Sequence, residues 1–210
     1  MKKASKISRD RGFTFTEIIS TIVVMGILIA IISPSWLGFI ARQQLRTSIN
    51  KIYWTMQNAR DQAQAKRSSW QASFRQNPET NQLQYAVHST KIKPAELSES
   101  LWQNLADGVE IDTNQTSLLK VDPTTNQVKR SETGYYRTIF NYKGCPVYWA
   151  TDECTQTSLK VKGRITLKHP HLGEYRRCVI VSTVIGALRI AEDASKPIPI
   201  SRGKNCYRRD

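Results

Sequence analysis

Residues 12–41 read GFTFTEIISTIVVMGILIAIISPSWLGFIA, and the fold of the chain turns on how that stretch is understood. From Ile18 to Ala41 there are 24 residues without a charge. Wound as a helix they rise about 1.5 Å each and span roughly 36 Å, enough to cross a hydrocarbon core of about 30 Å. Ahead of the run stand Lys2, Lys3, Lys6, Arg9 and Arg11 against Asp10, and the bulk of the chain follows it. That order predicts a cytoplasmic N-terminus and an exported remainder. A cleaved secretory signal would have a shorter apolar core and a small-x-small site after it, and in Ser33-Pro34-Ser35 a proline separates the small residues. A plain membrane anchor explains the apolarity but leaves Glu17 without a role. An ionised carboxylate costs about 2.5–3.5 kcal/mol at the bilayer centre, so this one is expected to have a partner. Pro34 would kink a helix in water at a cost near 3 kcal/mol, and is better tolerated in a membrane helix.

The helical pattern continues beyond the apolar run. Leu45, Ile49, Ile52, Met56, Ala59 and Ala63 recur at spacings of three and four, while Arg42, Arg46, Lys51, Arg60 and Lys66 fall on the other face. A helix from about 14 to 68 would be about 80 Å long, bare and apolar in its first half and packed on a domain in its second. After Ser68 the character changes. Trp70–Arg75 and Leu83–His88 alternate as strands around the turn signal Asn77-Pro78-Glu79-Thr80-Asn81. Pro94 to Leu105 reads as a short helix with Leu97, Leu101 and Leu105 on one face. Further strands are expected at Val109–Asp112, Ser117–Val121, Tyr135–Tyr142, Arg164–Lys168, Cys178–Thr183 and Ala187–Ala191. A helix followed by many short strands implies an α+β domain with an antiparallel sheet packed on the helix. No internal repeat or low-complexity linker interrupts it.

The four cysteines, Cys145, Cys154, Cys178 and Cys206, all fall in the last third, and no two form a CxxC pair. Zinc would want closer ligand pairs, although His169 and His171 lie between the cysteines. An even count behind a membrane-targeting segment reads as two disulfides in an oxidising compartment. Of three connectivities the favoured one joins Cys145 to Cys154 and Cys178 to Cys206. The formal charge is +14, falling to +10 once the five basic residues and one acid of 1–12 are removed. That balance favours anionic partners such as nucleic acid or lipid headgroups.

Gly12-Phe13-Thr14-Phe15-Thr16-Glu17 followed by some twenty apolar residues resembles the prepilin processing site of type IV pilins and pseudopilins. The resemblance implies that a prepilin peptidase cuts after Gly12 and that the new N-terminal Phe13 is methylated. It implies that Glu17 neutralises the terminal amine of a neighbouring subunit in a filament, and that Pro34 marks a curve in the assembling helix. It also implies the type IV pilin fold. Phe15 and Thr16 stand where the family usually carries a leucine and an aliphatic residue. A shorter likeness, Cys178 to Thr183 followed by Gly186-Ala187-Leu188-Arg189, resembles the minor pilin and pseudopilin group called FimT/GspH. Some members of that group bind DNA through a GRxR-type motif, and here Ala187 replaces its first arginine. Arg202, Lys204, Arg208 and Arg209 crowd the tail, and a bonded Cys206 would bring them near Arg176 and Arg177, with Arg189 completing a basic surface for phosphates.

The expected organisation is therefore a cleaved leader at 1–12, a transmembrane and assembly helix at 13–41, an amphipathic half-helix at 42–68 and a β-rich domain at 69–210. No GxSxG, HExxH or phosphate loop is present, no cofactor or metal is implied, and the three histidines are His88, His169 and His171. The reading is a structural, non-enzymatic minor pilin-like subunit, anchored in a bacterial inner membrane with its domain in the periplasm. Its expected partners are the prepilin peptidase, other pilin subunits and the membrane, with DNA as a further candidate. The rivals are a type II secretion pseudopilin, a DNA receptor on a pilus, and a membrane-anchored binding protein unrelated to pili.

Overall fold

The computed structural model describes residues 12–77, 79–128, 134–154, 163–181 and 185–192, without the side chains of 30–35 and 192. Helix α1 spans Phe15–Ala65. The chain divides into two compact units, Met1–Phe39 and Ile40–Asp210, and α1 contributes to both. The helical backbone runs through Pro34 without a break. Among the described residues no helix is long and apolar enough to cross a membrane. The run expected to do so, 18–41, includes the side chains of 30–35, which lie outside the description.

In the second unit the amphipathic spacing does what it predicts. Leu45, Ile49, Ile52, Met56, Ala59 and Ala63 are all fully buried and form one side of the main core. Two antiparallel sheets supply the rest. The first is ordered β3-β2-β1-β6-β5, with β7 also paired to β6. Its strands are β1 (Trp70–Gln76), β2 (Leu83–Ser89), β3 (Gln103–Asn104), β5 (Leu119–Val121), β6 (Tyr135–Phe140) and β7 (Pro146–Val147). The second is ordered β10-β9-β8-β4, from β4 (Glu110–Ile111), β8 (Arg164–Lys168), β9 (Arg176–Val181) and β10 (Leu188–Glu192). Ala72 and Phe74 of β1, Ile165 and Leu167 of β8, and Val179 and Val181 of β9 all join the helix face in one core. The α+β architecture, an N-terminal helix packed on antiparallel sheet, is the one the sequence implies.

Side chains alternate across a strand, so Gln71, Ser73 and Arg75 point to the opposite face of the first sheet. That face is also closed, which alternation alone does not reveal. Leu97 and Trp102 cover part of it, packed on Ala86 of β2 with Tyr135 alongside. The Arg75 guanidinium lies over the Trp102 ring, 4.2 Å from its centroid, donates from Nε to Gln84 Oε1 at 2.8 Å, and forms an ion pair with Glu99. Arg137 is 2 % exposed there, donates to the Tyr148 carbonyl at 3.2 Å, and burial lowers its pKa to about 10.

The helix expected over Pro94–Leu105 does not form. Two 3-10 turns, Pro94–Glu96 and Glu99–Leu101, precede the strand Gln103–Asn104, and Leu101 is half exposed. The segment is shaped by its contacts instead: Leu97 and Trp102 go down onto the sheet, and Gln103 and Asn104 pair with Tyr85 and Gln84. Strand ends shift for similar local reasons. β6 stops at Phe140 because Asn141 begins a turn, its carbonyl taking the Gly144 N–H at 2.8 Å.

Candidate functional site

Thr14 and Glu17 face each other at the start of α1. Glu17 N–H reaches Thr14 Oγ1 at 3.4 Å and Thr14 N–H reaches Glu17 Oε2 at 3.5 Å. This is the reciprocal geometry of a capping box, in long hydrogen bonds, and it gives Glu17 a local role that the charge argument had not assigned. A carboxylate in the first turn also faces the positive end of the helix dipole. Around it the apolar side chains are open on all sides. Phe13 and Phe15 are each 77 % exposed, and Ile18, Ile22, Met25, Leu28 and Ile29 between 47 % and 67 %. Gly12 has nothing within 4 Å of the position a Cβ would take.

Cys145 and Cys154 are disulfide-bonded, as expected. Asn141, 1 % exposed, holds the loop they close: its Oδ1 accepts the N–H of Cys145 at 3.0 Å and of Lys143 at 3.1 Å, and its Nδ2 donates to the Asp152 carbonyl at 3.2 Å. Cys178, fully buried, is also disulfide-bonded. Its expected partner Cys206 lies outside the described residues, as do Arg202, Lys204, Arg208 and Arg209.

The remaining basic residues expected to meet nucleic acid are placed on β9 and β10. Arg176 and Arg177 are adjacent in a strand and so point to opposite faces. Arg176 is committed to an acid, its Nε donating to Asp112 Oδ2 at 2.7 Å with both side chains largely buried. Arg177 Nε donates to the Tyr175 hydroxyl at 3.1 Å. Arg189 is opposite Ile180 in the β9–β10 ladder, on the Arg176 face and about 13 Å along it. Gly186, ahead of it, has φ +79° and sits against the Gly144 carbonyl, 2.6 Å from where a Cβ would be. The glycine of the Gly-x-x-Arg segment thus has a packing reason of its own.

Two of the three histidines, His88 and His169, are buried, while His171 is exposed. His169 is 4 % exposed between β8 and the 3-10 turn Pro170–Leu172; its Nε2 meets Gln44 Oε1 at 3.2 Å and its Nδ1 accepts the His171 N–H at 3.2 Å. His88 is 3 % exposed, with Nδ1 donating to the Ser89 carbonyl at 3.0 Å, a tautomer assigned from the hydrogen-bond network. Its Nε2 then accepts from Ser73 Oγ at 2.9 Å and Gln71 Nε2 at 3.0 Å. Burial lowers the pKa of both rings. A base with a depressed folded-state pKa leaves stability complete above the ordinary value of about 6.5 and erodes it as pH falls below that value, because the unfolded chain takes the proton first. Stability is therefore expected to drop from pH 7 to pH 5, and His88→Gln to flatten that slope. Chemical denaturation at a series of pH values measures it, and an unchanged slope in the variant would remove His88 from the account. Among the described residues no group of three His, Cys, Asp or Glu is placed to hold a metal ion.

No protein-family model matches this chain, and no curated protein is similar to it in sequence. Among solved structures, that of the type IV minor pilin FimU of Pseudomonas aeruginosa is similar, with 15% identity and a TM-score of 0.40 over 78% of this chain and 98% of that one.

Proposed function

We propose that this chain is a structural, non-enzymatic subunit of a type IV pilus-like filament. A prepilin peptidase cuts it between Gly12 and Phe13, and Phe13 is methylated. The mature chain waits in the inner membrane through residues 13–41, with its domain in the periplasm, and then enters the filament by packing that helix against other subunits. The observation that supports this best is the exposure of apolar side chains all round the first part of α1, with Phe13 77 %, Ile22 64 % and Leu28 53 % exposed. A helix apolar on every side requires lipid or protein around it, and the same surface serves both in turn. Mass spectrometry of the mature protein tests it: the chain is expected to begin at an N-methylated Phe13, and an unmethylated or differently placed N-terminus overturns the proposal.

Glu17 serves two purposes in this reading, and they separate experimentally. Glutamine fills the same capping-box position without a charge. Glu17→Gln is expected to be processed and to keep its helix, yet to enter filaments poorly because the Phe13 amine of a neighbour loses its counter-charge. Quantifying the variant in sheared filaments decides; normal incorporation would leave Glu17 as a helix cap alone.

A further inference from the structure

On its β3 side, β2 is paired only at Gln84 and Tyr85. The Leu105 N–H donates to the Leu83 carbonyl at 2.9 Å, so ladder alternation turns the N–H and C=O of Leu83, Tyr85 and Val87 toward that side. The ladder stops short of Val87. Leu101, which the register would set opposite it, is wound into the 3-10 turn and gives its N–H to Ser98 at 3.0 Å. Among the described residues nothing pairs with Val87 along this edge.

Beside the edge is an open groove of about 400 Å³, with Lys51, Trp54 and Thr55 of α1 on one side and Tyr85, Val87 and Leu101 on the other. Trp54 is 65 % and Leu101 50 % exposed. The groove is lined by one cation, Lys51, and no acid, on a chain whose formal charge is +14. Val87, which lies between Tyr85 and a Ser89 carbonyl already taken by the Ile92 N–H at 3.1 Å, faces this open groove with one pair of backbone groups left for an added strand.

We propose that this edge docks an extended, acidic peptide segment of a partner protein. The segment adds as a strand at Val87, sets an aliphatic or aromatic side chain between Trp54 and Leu101, and places a carboxylate on Lys51. Charge selects the partner, since a second copy of a chain at +14 meets repulsion where an acidic strand meets attraction. The site lies wholly within the second unit and does not depend on the filament reading.

The test uses the full chain in detergent micelles and two acetylated, fluorescently labelled decapeptides. Each alternates valine with a charged residue around a central tyrosine, one with glutamate and the other with lysine. By anisotropy at low salt the glutamate peptide is expected to bind at least tenfold tighter, and Lys51→Glu to reverse the order. Trp54→Ala is expected to weaken binding tenfold or more while leaving thermal unfolding unchanged, since the ring is mostly solvated. Hydrogen exchange across Tyr85–Ser89 is expected to slow in the complex. Equal affinity for the two peptides, binding that survives both substitutions, or protection confined to other segments would overturn the proposal. Protection of Tyr85–Ser89 by self-association without peptide would assign the edge to a second copy and overturn it equally.

Discussion

Gly12→Val is expected to leave the chain uncut, with its leader still attached and no trace of it in filaments. The expectation is all-or-none because the substitution has nowhere else to act. A Cβ at this position meets nothing within 4 Å, so the variant loses no packing and gains no clash. Residue 12 also precedes α1, which begins at Phe15, and its side chain takes no part in the Thr14–Glu17 cap. The thermal unfolding of the second unit should match that of the parent. Under the proposed processing, what changes is the group next to the cut bond, where a branched side chain replaces glycine. Immunoblotting of membrane and sheared-filament fractions reads the outcome. Normal processing of Gly12→Val would end the pilin-like assignment, whereas lost processing with a destabilised domain would point to an indirect effect.

The second large effect is expected at Phe74. It is fully buried at the middle of β1, between Tyr85 of β2 and Tyr136 of β6, on the face that meets α1. Phe74→Ala removes a ring that the surrounding strands hold rigidly, so the cavity collapses only in part. A loss of about 3–5 kcal/mol is expected. For a body of this size that corresponds to a fall of roughly 10 °C in Tm. Trp54→Ala, at a side chain 65 % exposed, should stay within about 0.5 kcal/mol. Parallel denaturation of the two variants checks the pair. A change below about 1 kcal/mol at Phe74 would mean that the helix-to-sheet core is not packed as described.

The helix and the long strands were legible because their patterns are periodic. Six apolar residues at spacings of three and four marked the α1 face, and β1, β2 and β8 fell within a residue of their expected ends. What was not legible depends on contacts distant in sequence. Leu97, Leu101 and Leu105 look like one face of a helix until the sheet that Leu97 and Trp102 cover is known. β7 is two residues long and exists only because Ile139 and Phe140 are there to pair with it. Asn141 gave no signal either, since an asparagine serving backbone groups as far off as Asp152 looks like any turn residue. At the candidate site, Gly12, Phe13 and Glu17 were singled out by motif, whereas the Cys145–Cys154 bond, present in the structure, was favoured from the even cysteine count. The Thr14-x-x-Glu17 cap was also in plain view, but the apolar run beside it drew attention to charge rather than to helix initiation. Arg176 shows another limit: a basic residue in sequence says nothing of an acid waiting for it, and Asp112 is 64 positions away.

The place of β1 in its sheet bears on how the domain matures. β1 pairs with β2 on one side and β6 on the other, so one neighbour is complete by Ser89 while the other does not begin until Tyr135. A chain emerging from its N-terminus therefore holds a finished hairpin with one raw edge for more than forty residues of synthesis. That edge belongs to the strand whose five inner residues are all buried in the end. During that interval it is open to mispairing with other nascent chains, a hazard that closes only when the distant sixth strand arrives. Folding of this domain is thus a race between one late strand and every other edge within reach.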